Sequence, residues 1–209
     1  MADRKQEILD AALAIADERG IDAISMRAVA DRVGLTPMAL YPHVGDKSGL
    51  LDGLVGRILS ELPVPDSGTD WRDRLDALAH AARGVAKRHP AAVGLLFSRP
   101  GITPDAVRVI DAVYQALLDA GVSPAQVPRL ERMFSTLVLG YGMSEASGRF
   151  STGELDPRGR RGQLPEGALP GHQALAEYLD RPVDWDAEFA ADVDDLARVI
   201  EASSQQSGS

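Results

Sequence analysis

The chain has 209 residues, 44% hydrophobic and 25% charged, enough for one large domain or two small ones with a sizeable core. It has no cysteine, which excludes disulfides, thiolate catalysis and cysteine-ligated zinc. Its formal net charge of −9 argues against a general nucleic-acid coat, whose affinity rests on summed positive charge.

Residues 1–62 carry seven Lys/Arg against ten Asp/Glu, so any DNA contact has to come from the placement of cations and not from their number. No apolar run reaches the roughly 18 residues of a membrane span. The charged start "MADRKQEILD" lacks the apolar core of a signal peptide. Together these predict a cytoplasmic protein with no membrane partner.

Strand-like alternation is scarce, and helical periodicity predicts an all-α protein. A first helix starts near Asp3, with Gln6 reaching back to complete a cap, and Gly20 stops it. Ser25 caps a short second helix, "MRAVADRV", which Gly34 ends after two turns. Thr36 caps a third, "PMALYPHV", with Pro37 at the first helical position, where its missing N–H costs nothing. Asp46 caps a fourth over residues 47–62.

Two short helices joined by a glycine turn, after a longer supporting helix, predict a helix-turn-helix. Ala30, Gly34, Leu40 and Val44 are expected to make its internal packing. Spacing alone leaves any small three-helix bundle as the competing reading to DNA binding. Domain boundaries follow: residues 1–46 form a three-helix helix-turn-helix domain, and residues 47–209 form a larger helical domain, with 47–62 connecting the two.

In the larger domain, periodicity predicts helices over 70–88, 104–120 and 124–149, with a short apolar helix within "PAAVGLLFSRPG". Residues 133–143 carry no charge, so the middle of the long helix is expected to be buried on several sides. Residues 151–172, rich in Gly, Pro and charge, read as a mobile loop, and Arg158, Arg160 and Arg161 as its solvated cations. Two last helices are expected at 173–181 and 185–202, and a disordered tail at 203–209.

The stretch "RKQEILDAALAIADERGIDAISMRAVADRVGL" followed by "TPMALYPHVGDKSGLLDGL" resembles the DNA-binding domain of the TetR family of bacterial transcriptional repressors. Spacing, caps and aromatic positions agree over some fifty residues. The Leu-Tyr-x-His-Val-x-x-Lys pattern at 40–47 is especially similar to the tetracycline repressor branch. The rest of the chain is similar only in helical layout. The resemblance implies a ligand-responsive regulator that binds a palindromic DNA operator as a homodimer, its long helix and last helix forming a four-helix bundle with their symmetry mates. Val193, Leu196, Ala197 and Ile200 make the last helix's apolar stripe.

It also implies roles for particular side chains. Tyr41, His43 and Lys47 stand where relatives touch phosphates or base edges, and Arg27 where an arginine reaches a guanine. Pro37, Met38 and Ala39 face the major groove, and the hydroxyls of Ser25 and Thr36 meet phosphate. Pro42 and Ala39 depart from the family pattern, so base reading here leans on Arg27, thymine methyl contacts and DNA shape.

For a ligand pocket the candidates are Phe97, Tyr114, Met133, Phe134, Leu137, Tyr141 and Met143, with core packing as the competing reading for each. Few charges fall among them, so the expected effector is apolar or aromatic. Gly140 and Gly142 in mid-helix each cost about 1 kcal/mol against alanine, which suggests close helix approach or space for a ligand. No histidine pair has the helical spacing of metal ligands, and no nucleophile-elbow, P-loop or dinucleotide motif occurs. Neither catalysis, a metal nor a cofactor is expected. The alternative is a small-molecule binding protein without specific DNA binding, against which the intact caps, Tyr41, His43 and Lys47 argue.

Overall fold

A computed structural model describes residues 2–99, 101, 103–150, 170–179 and 181–205, and among these it has ten α-helices and no strand. The architecture is all-α, as the periodicity requires.

Helix α1 (Ala2–Arg19) turns Ile8, Ala12, Ile15 and Ala16 inward, each 0% exposed. It already includes Asp3, and the Gln6 side chain donates forward to Asp10 at 3.3 Å instead of closing a cap. After Gly20 a single 3-10 turn, Ile21–Ala23, leads to Ser25. The Ser25 hydroxyl accepts the Ala28 N–H at 3.1 Å and starts α2 (Met26–Val33). Gly34, at φ 69°, closes α2, and the Leu35 N–H reaches back to the Ala30 carbonyl at 2.9 Å.

A Cβ at Gly34 would meet nothing within 4 Å, so this glycine serves the left-handed turn and not the internal packing expected of it. Ala30, Leu40 and Val44 do pack inside. Helix α3 (Pro37–Val44) follows Thr36, whose hydroxyl makes no cap bond. The Thr36 backbone carbonyl takes the Ala39 N–H at 3.0 Å, so the expected side-chain cap is unnecessary.

Asp46 caps α4 (Lys47–Leu59) by accepting the Gly49 N–H at 2.9 Å. This helix stops three residues short of the expected 62. Leu62 precedes Pro63, which disfavours helical backbone there, and residues 59–62 continue as tight turns. Helices this short are marginal alone, so packing holds them: Ile8, Ile24, Leu40, Leu50 and Leu54 share one core at 0% exposure.

The second half contains α5 (Trp71–Arg88), α6 (Leu95–Ser98), α7 (Pro104–Asp119), α8 (Val127–Ala146), α9 (Pro170–Leu179) and α10 (Trp185–Gln205). Helix α8 is shorter than the 124–149 expected. Pro128 is tolerated only in a first turn, so a helix starting at 124 would place it too deep. A second core joins α5, α7, α8 and α10 around Leu78, Leu117, Leu130, Phe134 and Phe189.

Of the apolar stripe, Val193, Leu196 and Ile200 lie in this core of their own chain and Ala197 is buried too, leaving a different face of α10 outward. Residues 151–169 of the expected mobile loop, with Arg158, Arg160 and Arg161, lie outside the described residues; α9 begins at Pro170, ahead of the expected 173. Helix α10 runs on through Ser203–Gln205, where the Ser203 hydroxyl donates to the Val199 carbonyl at 2.9 Å and the Ser204 hydroxyl to the Glu201 carbonyl at 2.8 Å. The rest of the expected tail, 206–209, is outside the described residues.

Two polar junctions fix the helices laterally. The Arg83 guanidinium forks onto Glu145 at 2.6 and 2.7 Å, reaches Asp186 at 2.8 Å and lies over the Tyr141 and Phe189 rings. Its side chain is 6% exposed, and it ties α5 to α8 and α10. At the other end, Glu61 meets Arg57 at 3.0 Å and Arg88 at 2.9 Å, while His89 bridges Glu61 and Asp17. Burial pushes the Glu61 carboxyl up, but the Arg88 hydrogen bond and the charges of His89 and Arg57 outweigh it and hold it below the ordinary range.

Candidate DNA interface and ligand cavity

Helix α3 divides its residues cleanly. Leu40 and Val44 point inward, while Pro37, Met38, Tyr41 and Pro42 are exposed and Ala39 and His43 half-buried. Met38, at 74%, is the most exposed large apolar side chain among the described residues, and Tyr41 is 47% exposed. Pro42 sits inside the helix and removes the N–H that would bond the Met38 carbonyl, yet α3 still closes through the Gly45 N–H on the Tyr41 carbonyl at 2.9 Å.

The cations beside α3 are available. Arg27 is 87% exposed and stands 3.9 Å from Asp31, a separation and exposure at which an ion pair is worth little. Lys47, on the first turn of α4, has no ion-pair partner among the described residues. Ser25 and Thr36 are exposed, and the Thr36 hydroxyl makes no cap bond.

Sequence reasoning missed Gly49. A Cβ there would lie 2.2 Å from the Val44 carbonyl oxygen, so only glycine lets α4 leave α3 at this angle. That contact sets the angle at which the first turn of α4, which carries Lys47, leaves α3. The glycine in "DKSGLL" was the available signal.

A partly open cavity of about 220 Å³ lies between α4, α5, α7, α8 and the segment after α6. Val55, Leu59, Val109, Ile110 and Val138 supply much of its wall. Of the seven candidate residues, Phe134 lines it. Leu137 and Tyr141 line a separate open groove with Gly140, Phe150 and Trp185. The Tyr141 hydroxyl donates to the Trp185 carbonyl at 2.7 Å, and burial pushes its pKa up to about 12. Phe97 and Met133 are exposed, Tyr114 is half-buried against the second core, and Met143 sits beside Gly94.

The two mid-helix glycines separate as well. A Cβ at Gly142 would come within 2.7 Å of Ala86, so this one allows α8 to close on α5, whereas Gly140 faces open space.

The sequence did not single out the cavity's charged residues, Arg99 and Glu131. The Arg99 guanidinium donates to Asp52 at 2.5 Å and to the Ser48 carbonyl and hydroxyl at 3.0 and 3.2 Å. Through it the cavity wall holds the first turns of α4, next to Lys47. Nearby, a Cβ at Gly56 would fall within 2.6 Å of Thr103, the residue that caps α7, so α4 and α7 are in tight contact.

Comparison with known proteins agrees with this arrangement. The family model for bacterial regulatory proteins of the tetR family matches residues 8–54, and the tetracyclin repressor-like C-terminal domain matches residues 64–179. The likeness of the second half thus goes beyond helical layout. A helix-turn-helix-type transcriptional regulator of Saccharopolyspora erythraea is 33% identical over 190 residues, covering 88% of this chain and 79% of that protein. The class A tetracycline repressor from transposon 1721 of Escherichia coli is 31% identical over 152 residues, 70% of this chain and 69% of its own length. The crystal structure of Streptomyces coelicolor ActR in complex with actinorhodin shares the fold, with a TM-score of 0.83 over 96% of this chain and 97% of that one at 22% identity. The chain belongs to the TetR family of bacterial transcriptional regulators, which are DNA-binding regulators and not enzymes.

Proposed function

We propose that the protein is a cytoplasmic, homodimeric repressor that holds a palindromic operator through two copies of α3 and releases it when a small molecule enters the 220 Å³ cavity. One observation carries this reading: Arg99 both lines the cavity and grips Ser48 and Asp52 on α4, directly behind Lys47. A ligand that displaces Arg99 or the α7 side of the cavity moves α4, and α4 carries α3 with it. Full release needs strongly unequal ligand affinity for the two states, about 5.5 kcal/mol for a swing from 1:99 to 99:1.

In this reading Met38, Ala39 and Tyr41 meet base edges in the major groove, with Pro37 opening the helix against the backbone. Arg27 forks onto a guanine, the residue type best suited to its O6 and N7 acceptors. Ser25, Thr36, His43 and Lys47 hold phosphates, helped by the partial positive charge at the starts of α2, α3 and α4. Phe134 contacts the effector, whose body is apolar or aromatic. The partner copy packs on the outward faces of α8 and α10, where Met133, Thr136 and Val199 are exposed and Gly140 leaves open space. Exposure of the recognition face favours this reading over a small-molecule binder without DNA specificity.

Selection of bound fragments from the source genome tests it. The expected product is a palindrome whose half-sites lie about 34–36 Å apart, one helical turn. Recovery of fragments without a shared site would refute operator recognition.

A further inference from the structure

Resting on the reading of this cavity as the effector site, we infer that its ligand carries a cationic group on an apolar body, with Glu131 as its counter-ion. Among the described lining residues two are charged, Arg99 and Glu131. Their situations differ. Arg99 is neutralised by Asp52 at 2.5 Å and further satisfied by Ser48. Glu131 has no hydrogen bond or ion pair to any described residue. Among the described lining residues, the one charge left uncompensated is therefore the Glu131 carboxylate, set in a wall of valine, leucine and isoleucine.

Ser135 stands one helical turn from Glu131 and also lines the cavity. Its hydroxyl donates to the Arg132 carbonyl at 3.3 Å, which leaves its lone pairs free to accept. Glu131 and Ser135 together offer acceptors for the N–H groups of an ammonium. Phe134, between them in sequence, adds an aromatic face. An anionic ligand would face the Glu131 carboxylate and have to win Arg99 from Asp52. A neutral one could offer Glu131 at most an uncharged hydrogen bond, which compensates the desolvation of a carboxylate less than an ammonium does. Engineered apolar cavities of about 150 Å³ bind benzene, so about 220 Å³ accommodates a bicyclic aromatic with a short amine arm.

Titration calorimetry of the full-length protein at neutral pH with naphthylmethylamine, naphthalenemethanol and naphthoic acid tests this, since the three share one ring system and differ in charge. The amine should bind at least about tenfold tighter than the alcohol, as expected for a charge-assisted hydrogen bond, and the acid weakest of all. Glu131→Gln should erase the difference between amine and alcohol, by weakening the amine and by relieving the alcohol of the cost of covering an unpaired carboxylate. Glu131→Asp should keep the preference, and the unfolding midpoints of the ligand-free variants check the fold. Tightest binding by the acid, or an amine preference that survives in Glu131→Gln, would overturn the inference and leave the cavity reading standing. Binding of none of the three to the wild-type protein would overturn the cavity reading, and the charge preference with it. The three-ligand ranking on the wild-type protein decides the question even if a variant fails to fold.

Discussion

The helix-turn-helix and the helical domain behind it are held by different kinds of interaction. In the first, each helix start and stop is a local device: Ser25 on Ala28, Gly34 in the left-handed region, Asp46 on Gly49. In the second, the decisive contacts join residues far apart in sequence: Arg83 with Glu145 and Asp186, Gly142 against Ala86, Arg99 with Asp52. In the first part, short-range geometry sets where each helix begins and ends, while a shared core holds those helices together. The part that holds the cavity is built from long-range contacts, which is where the proposed ligand would act.

The contrast can be broken by substitution. Arg83→Ala has the largest expected effect, because it leaves Glu145, 16% exposed, with only Lys87 at 3.5 Å as a counter-charge: about 2–3 kcal/mol of stability lost by urea unfolding, below the cost of a wholly uncompensated buried charge. Arg83→Met combined with Glu145→Leu should recover most of that loss. Full retention of stability in the single variant would remove the junction as a support. Gly34→Ala should cost about 1–2 kcal/mol, the penalty of a side chain in left-handed backbone, although the site itself has room. A neutral result would show that the turn relaxes. Lys47→Ala should leave stability within about 0.5 kcal/mol, weaken all DNA sequences alike and lower the salt-dependence slope by about one. Altered base preference would contradict a phosphate contact.

The same contrast explains what was legible beforehand. Caps and turn glycines are read within four or five residues, so α2 and α3 emerged with the bounds they have in the structure. The outward residues of α3 follow from the family resemblance instead, and of these Ala39 and His43 are half-buried. The cavity follows from neither. Of the candidates within the uncharged stretch 133–143, namely Met133, Phe134, Leu137, Tyr141 and Met143, Phe134 lines the cavity, and Glu131 stands just outside that stretch. Arg99 follows a helix of four residues, with no periodicity to betray that it reaches across to α4. Apolar candidates on α8 could be named from spacing, but which of them faces α5, solvent or a cavity depends on how α5, α7 and α10 cross it. The inward turn of the α10 stripe was hidden for the same reason, since an apolar stripe does not say whose core it enters.

The central claim is that the exposed face of α3 reads DNA, and Tyr41→Ala tests it most directly. Operator fragments selected with the wild-type protein should be titrated with both proteins by fluorescence anisotropy, with helicity and oligomeric state measured in parallel. The account predicts a loss of at least about tenfold in operator affinity, in line with about 1–3 kcal/mol for a base-edge contact, with helicity and assembly unchanged. Unchanged affinity, or a variant that loses its fold because Tyr41 supports the core, would contradict it.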